Sequence, residues 1–157
     1  MRSKLAIALA AAVFAAPVAS DEVAGRASVI DGDTIEVRGK RIRLYGMDAP
    51  ETRQTCLDAD GRLYRCGQRA ALALADLIGS QPIRCEEQDV DRWGRVVATC
   101  FLSDGTDIGG AMVSAGHALA FRRYSRAYLY LERQAEAAGR GMWSGMFEPP
   151  WEWRKVN

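Results

Sequence analysis

Residues 29–51 read VIDGDTIEVRGKRIRLYGMDAPE, and this stretch decides the fold. Ile35 and Val37, then Ile42 and Leu44, alternate with polar residues, the pattern of two strands that each bury one face. Gly39 with Lys40 is expected to form the turn between them, so that Asp33 begins one strand and Asp48 ends the next at the same rim of a sheet. Arg43 and Glu51 belong to the same unit, and the four groups can converge on one phosphodiester. Carboxylate oxygens at such a rim suit a hard divalent cation such as Ca2+, which accepts six to eight oxygens in flexible geometry. No Cys or His cluster offers zinc an alternative.

Taken singly, each piece has a plainer reading. Asp31-Gly32-Asp33-Thr34 is also an Asx-type turn entering a strand, and Asp48-Ala49-Pro50-Glu51 a strand exit in which Pro50 keeps Ala49 extended. Arg43 alone is a solvated strand residue. Their joint spacing is what points to a site. A second stretch, residues 84–101, reads RCEEQDVDRWGRVVATCF and is expected to be a hairpin turning at Asp91-Arg92-Trp93-Gly94. A turn centred between Arg92 and Trp93 pairs residues whose numbers sum to 185, and Cys85 with Cys100 meets that sum, so a cross-strand disulfide is expected. Arg95 then follows the turn, where its planar fork suits a phosphate; alone, the segment is a surface hairpin with an ordinary arginine.

Together the two stretches resemble the staphylococcal nuclease (thermonuclease) family. The matching motifs are Ile30-Asp31-Gly32-Asp33-Thr34, Arg43-Leu44, Asp48-Ala49-Pro50-Glu51 and Asp91-Arg92-Trp93-Gly94-Arg95, with Trp143-Ser144 further on, all in family order. The resemblance spans roughly residues 25 to 145. It implies that Asp33, Asp48 and the backbone carbonyl of Ala49 hold Ca2+, that Arg43 and Arg95 bind phosphate, and that Glu51 stands beside the attacking water. It further implies substrate contacts for Arg92, Trp93 and Tyr124, and cleavage of DNA and RNA to 3′-phosphate ends with single strands preferred. Two positions depart from the family: Ala49 stands where Thr is commonest, which a carbonyl ligand survives, and Arg122 stands where a second tyrosine is usual. The residue types suit the chemistry independently, because water attack on a phosphodiester builds negative charge that a cation and two guanidinium groups neutralise.

Arg2 and Lys4 precede the apolar run Leu5 to Ala16, and Val18-Ala19-Ser20 supplies small residues for cleavage near Ser20. Residues 1–20 are thus expected to be a secretory signal peptide, giving a secreted or periplasmic protein that is free of the membrane once cleaved. Four cysteines fit an oxidising compartment, and pairing Cys85 with Cys100 leaves Cys56 with Cys66 across the loop after Glu51. Loss of the leader removes two bases and no acid, leaving 19 Lys plus Arg against 20 Asp plus Glu, a formal charge of −1. Nucleic acid must therefore be held by a local cationic site with metal, not by a globally basic surface.

The remainder reads as one domain, residues 21–145, followed by an aromatic and proline-rich tail, residues 146–157. Strands are expected near 25–31, 33–38, 41–47, 82–90 and 95–102, enough for a five-stranded OB-fold barrel. About three helices cap it: 68–78 stopped by Gly79, a short one at 108–115, and 125–138 with Tyr128, Leu131 and Ala135 inward and Gly139 as stop. The tail is expected to be extended, packing Trp151 or Trp153 back on the barrel. Nothing in the chain demands more than a monomer. A noncatalytic OB-type binding module and an envelope protein with an accessory role, for example in surface-polysaccharide production, are the alternatives on the same fold. The joint presence of Asp33, Asp48, Glu51, Arg43 and Arg95 favours the enzyme.

Overall fold

In the computed structural model, which describes residues 22–157, β1 (Glu22–Val29) pairs with β2 (Thr34–Val37) and β2 with β3 (Lys40–Leu44), both antiparallel. The expected leader and its cleavage point lie outside the described residues. Arg38 and Gly39 join β2 to β3 with φ of 51° and 76°. Positive φ at both centre positions matches the right-handed twist of the flanking strands, so the turn sits one residue earlier than expected and Lys40 already pairs with Val37.

The third strand, expected to reach residue 47, stops at Leu44. Gly46 adopts φ of 75°, and a Cβ there would stand 3.2 Å from both Ser125 and the Tyr128 ring. The chain therefore turns out of the barrel, and Asp48 lies on a separate short strand, β4 (Met47–Asp48). After β4 come a small ribbon, β5 (Cys56–Leu57) with β6 (Leu63–Tyr64), and helix α1 (Cys66–Ile78). The hairpin β7 (Pro82–Val90) and β8 (Val96–Phe101) is followed by α2 (Ile108–Ser114), β9 (Leu119–Ala120), α3 (Leu129–Ala137), a 3-10 turn at Gly141–Ser144 and α4 (Pro150–Val156).

Five strands close into a mixed barrel in the order β1-β2-β3-β8-β7, with β3 and β8 parallel and every other contact antiparallel. This is the expected OB-type barrel, capped by four helices among the described residues instead of about three. β9 pairs with β4 outside the barrel. Ile35, Ile42 and Leu44 fill the interior, and Leu74 and Ile78 from α1 join Met112 and Val113 from α2 in the same cluster. Each such side chain contributes about 1.5–3 kcal/mol relative to exposure.

Cys85 does face Cys100, but through compensation. Near the turn Val90 opposes Val96, one residue off the expected register, and a bulge between Glu87 and Asp89 restores it. Bridges join Cys85 to Cys100 and Cys56 to Cys66, and no described cysteine is free. The helix expected at residues 125–138 begins only at Leu129, after a turn in which the Ala127 N–H donates to Ser125 Oγ at 3.1 Å and the Leu129 N–H to the Arg126 carbonyl at 3.3 Å, while the Tyr128 hydroxyl anchors to the Asp107 carboxylate.

The tail is helical where an extended segment was expected. Pro150 occupies the first turn, where a missing N–H costs nothing, while Glu152 lies near the N-terminus and Arg154 and Lys155 near the C-terminus, matching the helix dipole. Trp151 packs on Phe121 with ring centroids 5.8 Å apart, as part of a second cluster with Leu119, Met142 and the Cys56–Cys66 bridge.

Candidate active site

Asp33 enters the site from the loop before β2. Its backbone N–H donates to Asp31 Oδ1 at 3.1 Å, the expected Asx turn, and its carbonyl accepts from Leu44 N–H at 2.8 Å. The Thr34 hydroxyl donates to Asp33 Oδ1 at 2.8 Å. Arg43, paired with Thr34 in the ladder, projects from β3 so that Nη2 lies 3.0 Å from Asp33 Oδ2 and 2.8 Å from Asp48 Oδ1. The two carboxylates thus converge on one point, already occupied by positive charge. Burial pushes the Asp33 carboxyl above its ordinary value, and Asp48 adds to the rise while Arg43 opposes it. Asp31 is likewise raised by burial and by the charge of Asp33.

Asp48 is wholly buried, and a buried carboxylate must be paired. Its second partner was not legible in the sequence. Arg154, from the last turn of α4, donates through Nη2 to Asp48 Oδ2 at 2.7 Å and through Nη1 to Asp48 Oδ1 at 3.1 Å. The same Nη1 reaches Glu51 Oε1 at 2.7 Å. Its hydrogen bonds to Asp48, and then to Glu51, hold the Arg154 guanidinium above its ordinary value despite partial burial.

Glu51 is half-buried at the rim, on a segment clamped from two sides. Gly67 of α1 packs so closely that a Cβ there would meet the Glu51 carbonyl oxygen at 1.7 Å. The Glu51 N–H donates to Gln54 Oε1 at 3.2 Å, and the fully buried Gln54 in turn donates from Nε2 to the Glu148 carbonyl at 2.7 Å. Gln54 also escaped sequence reading, since nothing local marks a glutamine as a tether.

Arg95 follows the β7–β8 turn. Its Nε donates to Asp91 Oδ2 at 2.7 Å, and Asp91 Oδ1 accepts from the N–H groups of Trp93 and Arg95. Partial burial pushes Asp91 up, but these donors outweigh it and leave its pKa below the ordinary value. Trp93 is 66% exposed, with the Arg92 guanidinium 4.1 Å and the Arg95 guanidinium 5.2 Å from its ring centre.

A cleft of about 1350 Å³ is lined by Asp33, Arg43, Ala49, Glu51, Arg92, Trp93, Arg95, Tyr124 and Arg154, with Asp48 beneath its floor. Tyr124 stands at its edge, its carbonyl accepting from the Tyr45 hydroxyl at 2.8 Å. Arg123 lines the same cleft, whereas Arg122 turns away to pair with the buried Glu132 at 3.0 Å. Among the described residues no group of three or more His, Cys, Asp and Glu side chains is placed to hold a metal. The donors at this point are two carboxylates, Asp33 and Asp48, a set that fits a hard cation only if backbone carbonyl or water oxygens complete it.

The family model described as "Staphylococcal nuclease homologue" matches residues 41–145. A succinoglycan biosynthesis protein, ExoI, of Rhizobium meliloti (strain 1021) is 44% identical over 127 residues, 80% of this chain and 66% of that protein. Protein ParB of Escherichia coli is 33% identical over 98% of this chain and 91% of its own length. A micrococcal nuclease of Shigella flexneri is 33% identical, covering 100% of this chain and 97% of its own. The chain therefore spans slightly under two thirds of the succinoglycan protein and nearly all of the other two.

Proposed function

This chain belongs to the staphylococcal nuclease family, and on that premise we propose that it is an exported, Ca2+-dependent, sugar-nonspecific nuclease. Family membership supports nuclease function and a nucleic-acid substrate at the family level. The finer reading rests on one observation: Asp33, Arg43, Glu51 and Arg95 line one cleft, with Asp48 buried below it.

In this reading Asp33, Asp48 and the Ala49 carbonyl hold the cation, which when bound supplies positive charge to the phosphoryl oxygens. Glu51 takes a proton from a water whose oxygen attacks phosphorus. The bond from phosphorus to the 5′ oxygen breaks, that oxygen takes a proton from solvent, and a 3′-phosphate remains. Arg43 and Arg95 neutralise the charge that develops on the phosphoryl group, the kind of contact whose loss costs about 10²- to 10³-fold in rate. General-base help from Glu51 contributes about 10²- to 10⁴-fold. Arg92, Trp93 and Tyr124 line the path of the strand, an open geometry that suits single-stranded DNA or RNA.

The two disulfides suit an oxidising compartment, and none of the described helices is long and apolar enough to cross a membrane. We read residues 1–20 as a removable leader, residues 21–145 as the nuclease domain with residues 146–157 completing its cleft, and the mature chain as a monomer. An accessory role in surface-polysaccharide production is the second reading, favoured by the identity to a protein named for succinoglycan biosynthesis. The deciding experiment is cleavage of single-stranded DNA by the oxidised mature chain with Ca2+, with chelator, and with Glu51→Gln. Cleavage that needs Ca2+ and is lost in the variant supports the nuclease. A folded protein that binds DNA without cutting it would shift the reading to a binding module.

A further inference from the structure

Every oxygen of Asp48 is engaged by a guanidinium. Oδ1 accepts from Arg43 at 2.8 Å and from Arg154 at 3.1 Å, and Oδ2 accepts from Arg154 at 2.7 Å. Asp33 is similarly engaged, Oδ1 by the Thr34 hydroxyl and Oδ2 by Arg43. A divalent cation shared by Asp33 and Asp48 therefore competes with two guanidinium groups: Arg43 Nη2, which bridges Asp33 Oδ2 and Asp48 Oδ1, and Arg154, which alone engages Asp48 Oδ2. Arg43 sits in the middle of the barrel ladder, paired with Thr34 on one side and Val97 on the other. Arg154 sits in the last turn of a seven-residue helix two residues from its exposed end, where Val156 is 74% exposed. A helix that short is marginal alone and stands only by its contacts. Its N-terminal half is fixed by buried Pro150 and by Trp151 on Phe121, whereas its exposed C-terminal half is tied to the site through the Arg154 guanidinium.

We propose that Arg154 is a tethered counter-ion that competes with the divalent cation for Asp48 and releases Glu51 when that cation binds. This rests on the metal reading above and adds control of metal loading by the C-terminal helix. Exchange preserves neutralisation, since Asp48 loses one positive partner and gains a stronger one. The same movement frees Glu51 Oε1 from Nη1 and leaves that oxygen open to water. A nuclease built this way holds its catalytic carboxylate in an ion pair until the cation arrives.

The competition lowers apparent metal affinity by the fraction of molecules in which Arg154 is already out, so a state populated at about one tenth weakens binding about tenfold. The test is calorimetric titration of Ca2+ into the full mature chain, into Arg154→Gln, into Arg154→Lys and into Asp48→Asn, with melting temperatures at each Ca2+ concentration. The expected result is about tenfold tighter Ca2+ binding by Arg154→Gln, an intermediate value for Arg154→Lys, and none for Asp48→Asn. Without Ca2+ Arg154→Gln should melt below the parent, the gap closing as Ca2+ is added. If Arg154→Gln does not fold, Arg154→Lys carries the comparison. Unchanged or weaker affinity in the Arg154 variants, with Asp48→Asn still silent, overturns the competition and leaves the metal reading standing. Absence of Ca2+ binding from every protein overturns both.

Discussion

Gln54 donates from Nε2 to the carbonyl oxygen of Glu148 at 2.7 Å, linking the Glu51 loop to the segment that launches the C-terminal helix across 94 residues of sequence. Because Gln54 is fully buried, truncating it strands the Glu148 carbonyl and the Glu51 N–H without partners. Gln54→Ala should cost about 1–3 kcal/mol for each orphaned group that stays buried. The check is a urea transition, in which the midpoint falls while the slope holds. An unmoved midpoint would show that water replaces both bonds and that the tether carries no stability.

The β2–β3 unit was legible because period-two alternation and a Gly-containing turn are local signals, and both hold in the structure within one residue. The β7–β8 pairing was legible for the same reason, although the expected partner of Cys85 is met only through the bulge between Glu87 and Asp89. What no local signal could show is a contact whose partners are far apart in sequence. Arg154 reaches Asp48 across 106 residues, and residues 146–157 read as an extended tail, so neither the helix nor the surface on which it lies was legible. Gln54 is the same kind of case. The Asp33 and Arg43 part of the cleft was readable because strand register alone brings them together. The half that closes it was not, because it depends on how α4 docks.

Unequal consequences are expected from the two disulfides. In the chain-entropy picture, removing the 15-residue Cys85–Cys100 link costs about 3 kcal/mol, and the 10-residue Cys56–Cys66 link slightly less. Their sites differ. Cys85 and Cys100 are buried in the barrel, whereas the Cys66 sulfur lies 3.5 Å from the Gln54 carbonyl and the Gly67 N–H donates to that carbonyl at 3.3 Å. Replacing both Cys56 and Cys66 with Ala should therefore cut cleavage about ten- to a hundredfold below the melting transition, as a displaced catalytic group does. The matching barrel pair should lose stability alone. Parallel melting and cleavage assays separate the two, and equal activity in both variants would disprove the distinction.

His117 is the chain's only histidine, which makes its titration readable in isolation. Its backbone N–H donates to the Met112 carbonyl at 3.0 Å as the chain leaves α2, and burial of the ring, aided by the charge of Arg69, pushes its pKa below 6.5. A depressed folded pKa means that the unfolded chain takes up the proton first as pH falls. Stability should therefore be full above about pH 6.5 and decline as pH drops below it towards the folded pKa. His117→Gln should flatten this part of the stability profile. A ring-proton NMR titration with a midpoint at or above 6.5 would contradict the burial argument.

Trp93 lies between two arginines that do different work in the proposed reaction. Arg95 is held by Asp91 through Nε, which leaves the rest of its fork available, while Arg92 stacks on the ring at 4.1 Å. Arg95→Ala should lower kcat on single-stranded DNA by about 10²- to 10³-fold without changing the melting temperature. Arg95→Lys should not rescue it, because an ammonium lacks the fork that meets two phosphoryl oxygens. Trp93→Ala removes a stacking surface that is 66% exposed and touches no reacting group, so it should raise KM and leave kcat near the parent value. An exposed cation–π contact is worth only about 0.5–1 kcal/mol, too little to set the geometry of Arg95 against its ion pair with Asp91. Steady-state kinetics of the three variants decide the assignment. A fall in kcat for Trp93→Ala as large as that for Arg95→Ala would mean that the ring, and not Asp91, holds the arginine in place.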